Sequence, residues 1–261
     1  YIGFKTVLFD EGWPYLNDFD FNDLVIKTSI SYHFNKENKP VDASIAIVMS
    51  ALGTRNKNIG LGLQFLELNQ QPNSPISYTQ PENKNILTAV YGPTAIIDPN
   101  NKNAIVISDN IIVNTQPYYT NDDWIGVSRT PDTLHLKVKF NTEQMIAGKI
   151  VIGDFFIFQT DNRSIETHVV DRPPTATADQ SFFNTQADQS DKANTHHYYT
   201  SKENTPWAIE MLTGRVDFAH PSKQYLINKA YPNFDLWVES NSIKANDWYL
   251  YPVEPYVFWN R

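Results

Sequence analysis

The chain has 261 residues, 41% of them hydrophobic and 13% aromatic, which is enough apolar material for a core and too much for global disorder. A formal charge of -8 and a sequence pI of about 5.2, with no basic run, disfavour a nucleic acid or an anionic membrane surface as partner. Cysteine is absent, so disulfides and thiolate metal sites are excluded, and a zinc site would have to use histidine and carboxylates.

The chain opens at Tyr1 without Met, a signal peptide or an apolar run long enough to span a bilayer. It therefore reads as a processed protein or an excised domain. The first distinctive segment is Asp18-Phe19-Asp20-Phe21-Asn22-Asp23, leading into the apolar Leu24-Val25-Ile26. In extended backbone Asp18, Asp20 and Asn22 project to one side and Phe19 and Phe21 to the other.

Period-two alternation follows. Ile26, Thr28, Ile30, Tyr32 and Phe34 face away from Lys27, Ser29, Ser31 and His33, and Leu134, Leu136, Val138 and Phe140 face away from His135, Lys137 and Lys139. Further strands are expected over 43–50, 61–68, 103–113 and 150–158, separated by turn-rich segments at 35–40, 70–77 and 98–102. Beyond about residue 161 the run 175–195 is polar and aperiodic, and reads as a loop or an excursion packed on the strands. The tail carries Trp207, Trp237, Trp248 and Trp259. Pro232 is placed to open a short helix bearing Phe234, Leu236, Trp237 and Val238. The expectation is a mainly β fold: an antiparallel β-sandwich with long loops and one or two short C-terminal helices. It is expected as a single domain over residues 1–261, strand-rich over about 4–160, with an aromatic-rich tail over about 196–261 packed on it.

Clustered carboxylates are unfavourable unless a cation neutralises them, and Ca²⁺ accepts six to eight oxygen ligands in flexible geometry. Asp18, Asp20, Asn22 and Asp23, joined by Asp10 or Glu11 across the Gly12–Asn17 turn, form the candidate set. The spacing is not an EF-hand: Asp23 stands where the loop glycine belongs and Ser29 where the bidentate glutamate belongs. The alternative is a turn whose Asx side chains bond local amides. A second polar candidate is Arg163 with Glu166 and His168, either a metal or catalytic pair or a structural ion pair. His196 and His197, adjacent in a polar loop, point apart in extended chain and make a poor chelating pair. His220-Pro221 reads as a turn. Trp207, Trp248 and Tyr249 could stack on sugar rings or pack the core. No nucleophile elbow, His-Glu-x-x-His helix or P-loop is present.

The segment Phe9-Asp10-Glu11-Gly12-Trp13-Pro14, followed by Asp18 to Val25, resembles the entry motif of the LruC-domain family of exported bacterial proteins. Several later blocks resemble that family in order: Phe156-Ile157-Phe158 with Arg163, Glu166 and His168; Tyr198-Tyr199-Thr200; Asn204 to Ile209; Ala230-Tyr231-Pro232 with Phe234 and Trp237; and Asp247-Trp248-Tyr249. Here Asn17 and Phe19 replace the family's Gly and Tyr, and the acidic pair is Asp-Glu instead of Glu-Asp. Residues 35–150 carry no matching motif. The resemblance implies a secreted or surface-exposed protein that binds calcium; it implies no reaction. The expected function is a secreted calcium-binding module for a glycan or a surface protein, of adhesion type. A structural matrix component is the first alternative, and a secreted glycan or peptide hydrolase the second.

Overall fold

The computed structural model describes residues 2–70, 76–82, 85–115, 117, 119–120, 131–191, 197–214, 218–222 and 225–258. His196 and Trp259 lie outside them. In chain order the strands begin with β1 (Ile2–Phe9), β2 (Leu24–Phe34), β3 (Pro40–Leu52), β4 (Ile59–Asn69), β5 (Ser77–Thr79), β6 (Leu87–Tyr91), β7 (Ile96–Asp98) and β8 (Asn101–Ser108). A single turn of helix, α1 (Ile111–Asn114), precedes β9 (Tyr119–Thr120), β10 (Thr133–Phe140), β11 (Ile150–Gln159), β12 (Glu166–His168), β13 (Ala208–Met211) and β14 (His220–Pro221). Short helices α2 (Ile227–Ala230) and α3 (Phe234–Glu239) and the strand β15 (Val257–Phe258) complete the chain.

Two sheets pack face to face. The larger runs β13-β1-β2-β3-β10-β6, and the smaller runs β12-β11-β4-β8-β7. Their main pairings are antiparallel; β9 joins β3 in parallel. The alternation in β10 is obeyed: Leu136, Val138 and Phe140 are buried, and His135, Lys137 and Lys139 are exposed. Val7, Phe9, Ile26, Ile30, Ile45, Leu61, Leu63, Phe65, Phe155 and Ile157 meet between the sheets.

Both sheets are also covered on their outer faces. Leu8, Val25 and Ala51, one residue out of phase with the inner set, pack against Phe218, Tyr231, Phe234 and Trp248 of the tail. The tail is therefore held on the larger sheet by apolar residues that period two places on the face opposite the inner set. On the smaller sheet β4 is buried from Ile59 to Glu67 and β11 from Val151 to Phe158. The polar segment after β12 supplies that cover: Thr175, Asp188 and Ser190 are buried despite its polar composition. It is a packed excursion.

Two local expectations are corrected. The strand proposed over 103–113 stops at Ser108, because the Asn110 side chain accepts from Val113 N at 3.1 Å and caps α1. The acidic segment is not extended: Phe19 and Phe21 have φ of 50° and 54°, which loops the chain. Helix α3 begins two residues after Pro232. Among the described residues no helix is long and apolar enough to cross a membrane.

Candidate metal centre

Strand β1 hands the chain to Asp10, whose amide donates to Trp207 O at 2.8 Å. The Glu11 amide then donates to Asp23 Oδ2 at 2.7 Å, tying the first acidic pair to the second acidic run. Gly12, at φ 110°, turns the chain where a side chain would be strained, and Tyr15 N closes that turn on Gly12 O at 2.8 Å. Asn17 bonds Glu11 O through its amide, and its Oδ1 accepts from Asp18 N at 2.9 Å. Asp20 bonds the Asn22 side-chain amide and accepts from Asn22 N.

This loop brings one carboxylate oxygen from each of Asp10, Asp18 and Asp20 within 4.8 Å of one another. Two ligands on opposite sides of a Ca²⁺ at about 2.4 Å stand about 4.8 Å apart. Asp10 is fully buried, and both its carboxylate oxygens lack a hydrogen-bond partner. A buried carboxylate left in that state is costly unless it stays neutral or meets a cation. Burial, then repulsion from Asp23, Asp20 and Asp18, pushes its pKa well above the usual carboxylate range. The Asn17 amide offsets only part of this, its own bond going to Glu11 O. Burial followed by Asp18 raises Asp20 to about 6. Burial followed by Glu11 raises Asp23 to about 8. Glu11 is raised mainly by burial, and its Oε2 lacks a partner, but it does not join the close carboxylate group. Of the initial acidic pair, Asp10 is the member that faces Asp18 and Asp20.

The loop is braced from two sides. Gly53 N donates to Asn22 O at 3.0 Å and to Asp23 O at 3.1 Å, and Thr54 N donates to Asp23 O at 3.2 Å. A Cβ on Gly53 would lie 2.6 Å from the Asn22 carbonyl oxygen and 2.5 Å from its Oδ1. Gly53→Ala is therefore expected to push the acidic loop away and cost about 1–3 kcal/mol. In thermal unfolding it should also reduce any calcium-dependent shift; an unchanged melting temperature would contradict the close packing. On the other side the Trp13 indole donates to Asp188 Oδ1 at 2.9 Å and packs on Tyr199 and Phe183. The Trp207 indole donates to Tyr15 O at 3.1 Å.

The aromatic candidates are placed differently from the sugar-stacking expectation. Trp207 and Trp248 are 0% and 1% exposed and lie inside aromatic clusters, so neither offers a ring face to a ligand. Tyr249 is partly buried against Trp248, and its hydroxyl donates to Leu212 O at 3.3 Å.

Arg163, Glu166 and His168 do meet, in a closed network beneath the excursion. Arg163 pairs with Glu166 and, at 2.8 Å, with Asp98 Oδ2. The His168 ring lies between Asp154 Oδ2 at 2.8 Å and Glu166 Oε2 at 2.9 Å, all three side chains fully buried. Thr175 donates to both Glu166 oxygens through its amide and hydroxyl, and Gln64 Nε2 donates to Asp154 and Pro173 O. For His168, burial opposes the charge, but Asp154 and Glu166 outweigh it and raise its pKa above the ordinary value. For Glu166, burial is likewise outweighed, by His168, Arg163 and Thr175, and its pKa is lowered. Sequence reading missed Asp154, Gln64, Asp98 and Thr175. A charged Asp154 and an amide Gln64 inside otherwise apolar strands were the available signal.

A family model described as "Domain of unknown function (DUF4842)" matches residues 38–249. No curated protein matches the chain. Among solved structures, a crystal structure from Bacteroides ovatus described as a "Putative lipoprotein" aligns with a TM-score of 0.59 at 16% identity, covering 98% of this chain and 75% of that one. That likeness is one of fold.

Proposed function

We propose, for a chain that belongs to the DUF4842 family, a domain of unknown function, that it is an exported, calcium-stabilised β-sandwich module that binds a surface partner. The finer resemblance to LruC-domain proteins belongs to this proposal, as does export; the fold likeness to the Bacteroides ovatus structure supports the latter. The observation that carries the calcium reading is Asp10, with two buried and unpartnered oxygens facing Asp18 and Asp20. Asn22 and Asp23 complete the oxygen-rich loop, and Glu11 borders it. A hard dication suits this donor set of carboxylates and an amide.

The ion would tie the end of β1 to the loop before β2 and hold Trp13, Trp207 and the excursion around them. With affinity in the range of extracellular modules, about 10⁻⁴–10⁻³ M, about 10 mM calcium adds about 1.4–2.7 kcal/mol. That corresponds to a melting temperature about 3–10 °C higher than in chelator. Asp10→Asn is expected to abolish the shift and, because it replaces a buried carboxyl that already lacks a partner with an amide of the same shape, to melt no lower than the wild type in chelator. Asp20→Ala should abolish it too. Identical melting of the wild type with and without calcium would count against the reading.

A further inference from the structure

The excursion that covers the smaller sheet is fastened to it at three consecutive residues. Gln64 Nε2 donates to Pro173 O at 2.7 Å, and Gln80 Nε2 donates to Pro174 O at 2.9 Å. Thr175 donates to Glu166 through its amide at 3.0 Å and its hydroxyl at 2.6 Å. Gln80 also donates to Gln64 Oε1 at 2.6 Å, which joins the first two fastenings. All three lead to the buried His168, and residues 173–191 run on from that point as cover.

Hydrogen-bond geometry fixes the charge on the His168 ring. The two hydrogens of Gln64 Nε2 go to Asp154 Oδ2 and Pro173 O, so its 3.1 Å approach to Nδ1 brings no hydrogen. Nδ1 itself therefore carries the hydrogen that Asp154 Oδ2 accepts at 2.8 Å. Glu166 already receives Arg163 Nη1, Thr175 N and Thr175 Oγ1, the donor set of an ionised carboxylate. Nε2, 2.9 Å from Glu166 Oε2, is then a donor too. A ring that donates from both nitrogens is an imidazolium. The groups facing it are Asp154 from β11, Glu166 from β12 and the Tyr199 ring at 5.2 Å, with Phe156 stacked on it at 4.5 Å. Arg163 pairs with Glu166, and Asp98 with Arg163.

Loss of that proton leaves one N–H between two carboxylates. The bare nitrogen then confronts a carboxylate oxygen where all three side chains are fully buried and water cannot serve either. Lifting Pro173 to Thr175 away admits water to the ring and to Glu166. The apolar residues between the two sheets are a separate set and keep their contacts in that movement.

We propose that residues 173–191 form a proton-gated strap: doubly protonated His168 holds it on the smaller sheet, and loss of one proton lets it lift while the two sheets stay together. This goes beyond the calcium-module reading and does not rest on it.

The test is amide hydrogen exchange of the full chain, read by NMR at Thr175 and in β3 and β10, from pH 6 to 9.5 and corrected for intrinsic exchange. Calcium is held at one saturating concentration, so the strap's attachment through Trp13 and Asp188 is constant. Burial lowers the His168 pKa, but Asp154 and Glu166 outweigh it, so the folded value lies above the ordinary 6.5. The opening constant at Thr175 should be flat below about pH 6.5, rise tenfold per pH unit up to the folded value, and level off above it. Amides of β3 and β10 should stay protected throughout. His168→Gln, which has no proton to lose, should open more readily and show no slope. Should that variant not fold, Thr175→Val gives the second reading: without the hydroxyl donor, opening should increase about tenfold at every pH, with the slope retained. The strap is overturned by a Thr175 opening constant without pH dependence, or by a slope that survives in His168→Gln. It is equally overturned if exchange at Thr175, β3 and β10 accelerates together, or if Thr175→Val opens no faster than the wild type.

Discussion

His168→Ala is expected to destabilise the protein by about 3–5 kcal/mol, because it leaves Asp154 and Glu166 buried and facing one another without the cation between them. All three side chains are fully buried, and the nearest remaining positive group, Arg163, already serves Glu166 and Asp98. The sign of the pH dependence follows from the shift. His168 is raised above its unfolded value near 6.5, so its contribution is fully present below about pH 6.5 and is lost as pH rises through the folded value. Glu166 is lowered, so its contribution is present above its unfolded value near 4.5 and is lost as pH falls through the folded value. The cost of His168→Ala, measured by urea unfolding, should therefore be largest near neutral to mildly acidic pH and shrink in alkali. A cost that does not vary with pH would mean the imidazole is neutral in the folded protein.

Trp207→Ala is the second large effect, at about 3–5 kcal/mol for loss of a buried indole. Trp207 is 0% exposed, packs on Phe19 at 5.8 Å, and binds Tyr15 O through its N–H. Its carbonyl holds the Asp10 amide, so the damage should spread to the acidic loop. Thermal unfolding of this variant in calcium and in chelator should show both a lower transition and a smaller calcium shift. Were Trp207 an exposed stacking platform, its removal would leave the melting temperature within a degree or two of wild type.

The β-sandwich was legible because solvent on one side of a strand enforces alternation. In β10 each buried residue is followed by an exposed one, so the pattern survives in the sequence. The buried strands β4 and β11 hide their outward face, since their neighbours on that side are another part of the chain. Which polar residues of 161–200 would cover that face depends on contacts over 90 or more residues, such as Gln64 with Asp154 and with Pro173 O. No local pattern carries that information.

The acidic loop was legible as a group of residues and not as a geometry. Composition pointed to Asp18, Asp20 and Asn22, but the extended backbone expected there is replaced by a loop through positive φ at Phe19 and Phe21. The pairing of Glu11 N with Asp23, and of Asp10 N with Trp207 O nearly two hundred residues away, decides which of Asp10 and Glu11 faces the cluster. The sequence offered both. Aromatic candidates fared worst, because a tryptophan next to a polar residue reads the same whether it is a binding platform or a core anchor.

Calcium calorimetry on metal-stripped protein tests the central claim most directly. One ion should bind per chain, with millimolar to submillimolar affinity, in the wild type and none in Asp10→Asn. A wild-type chain that takes up no calcium at millimolar concentration, or an Asp10→Asn chain that binds it as well as the wild type, would contradict the account.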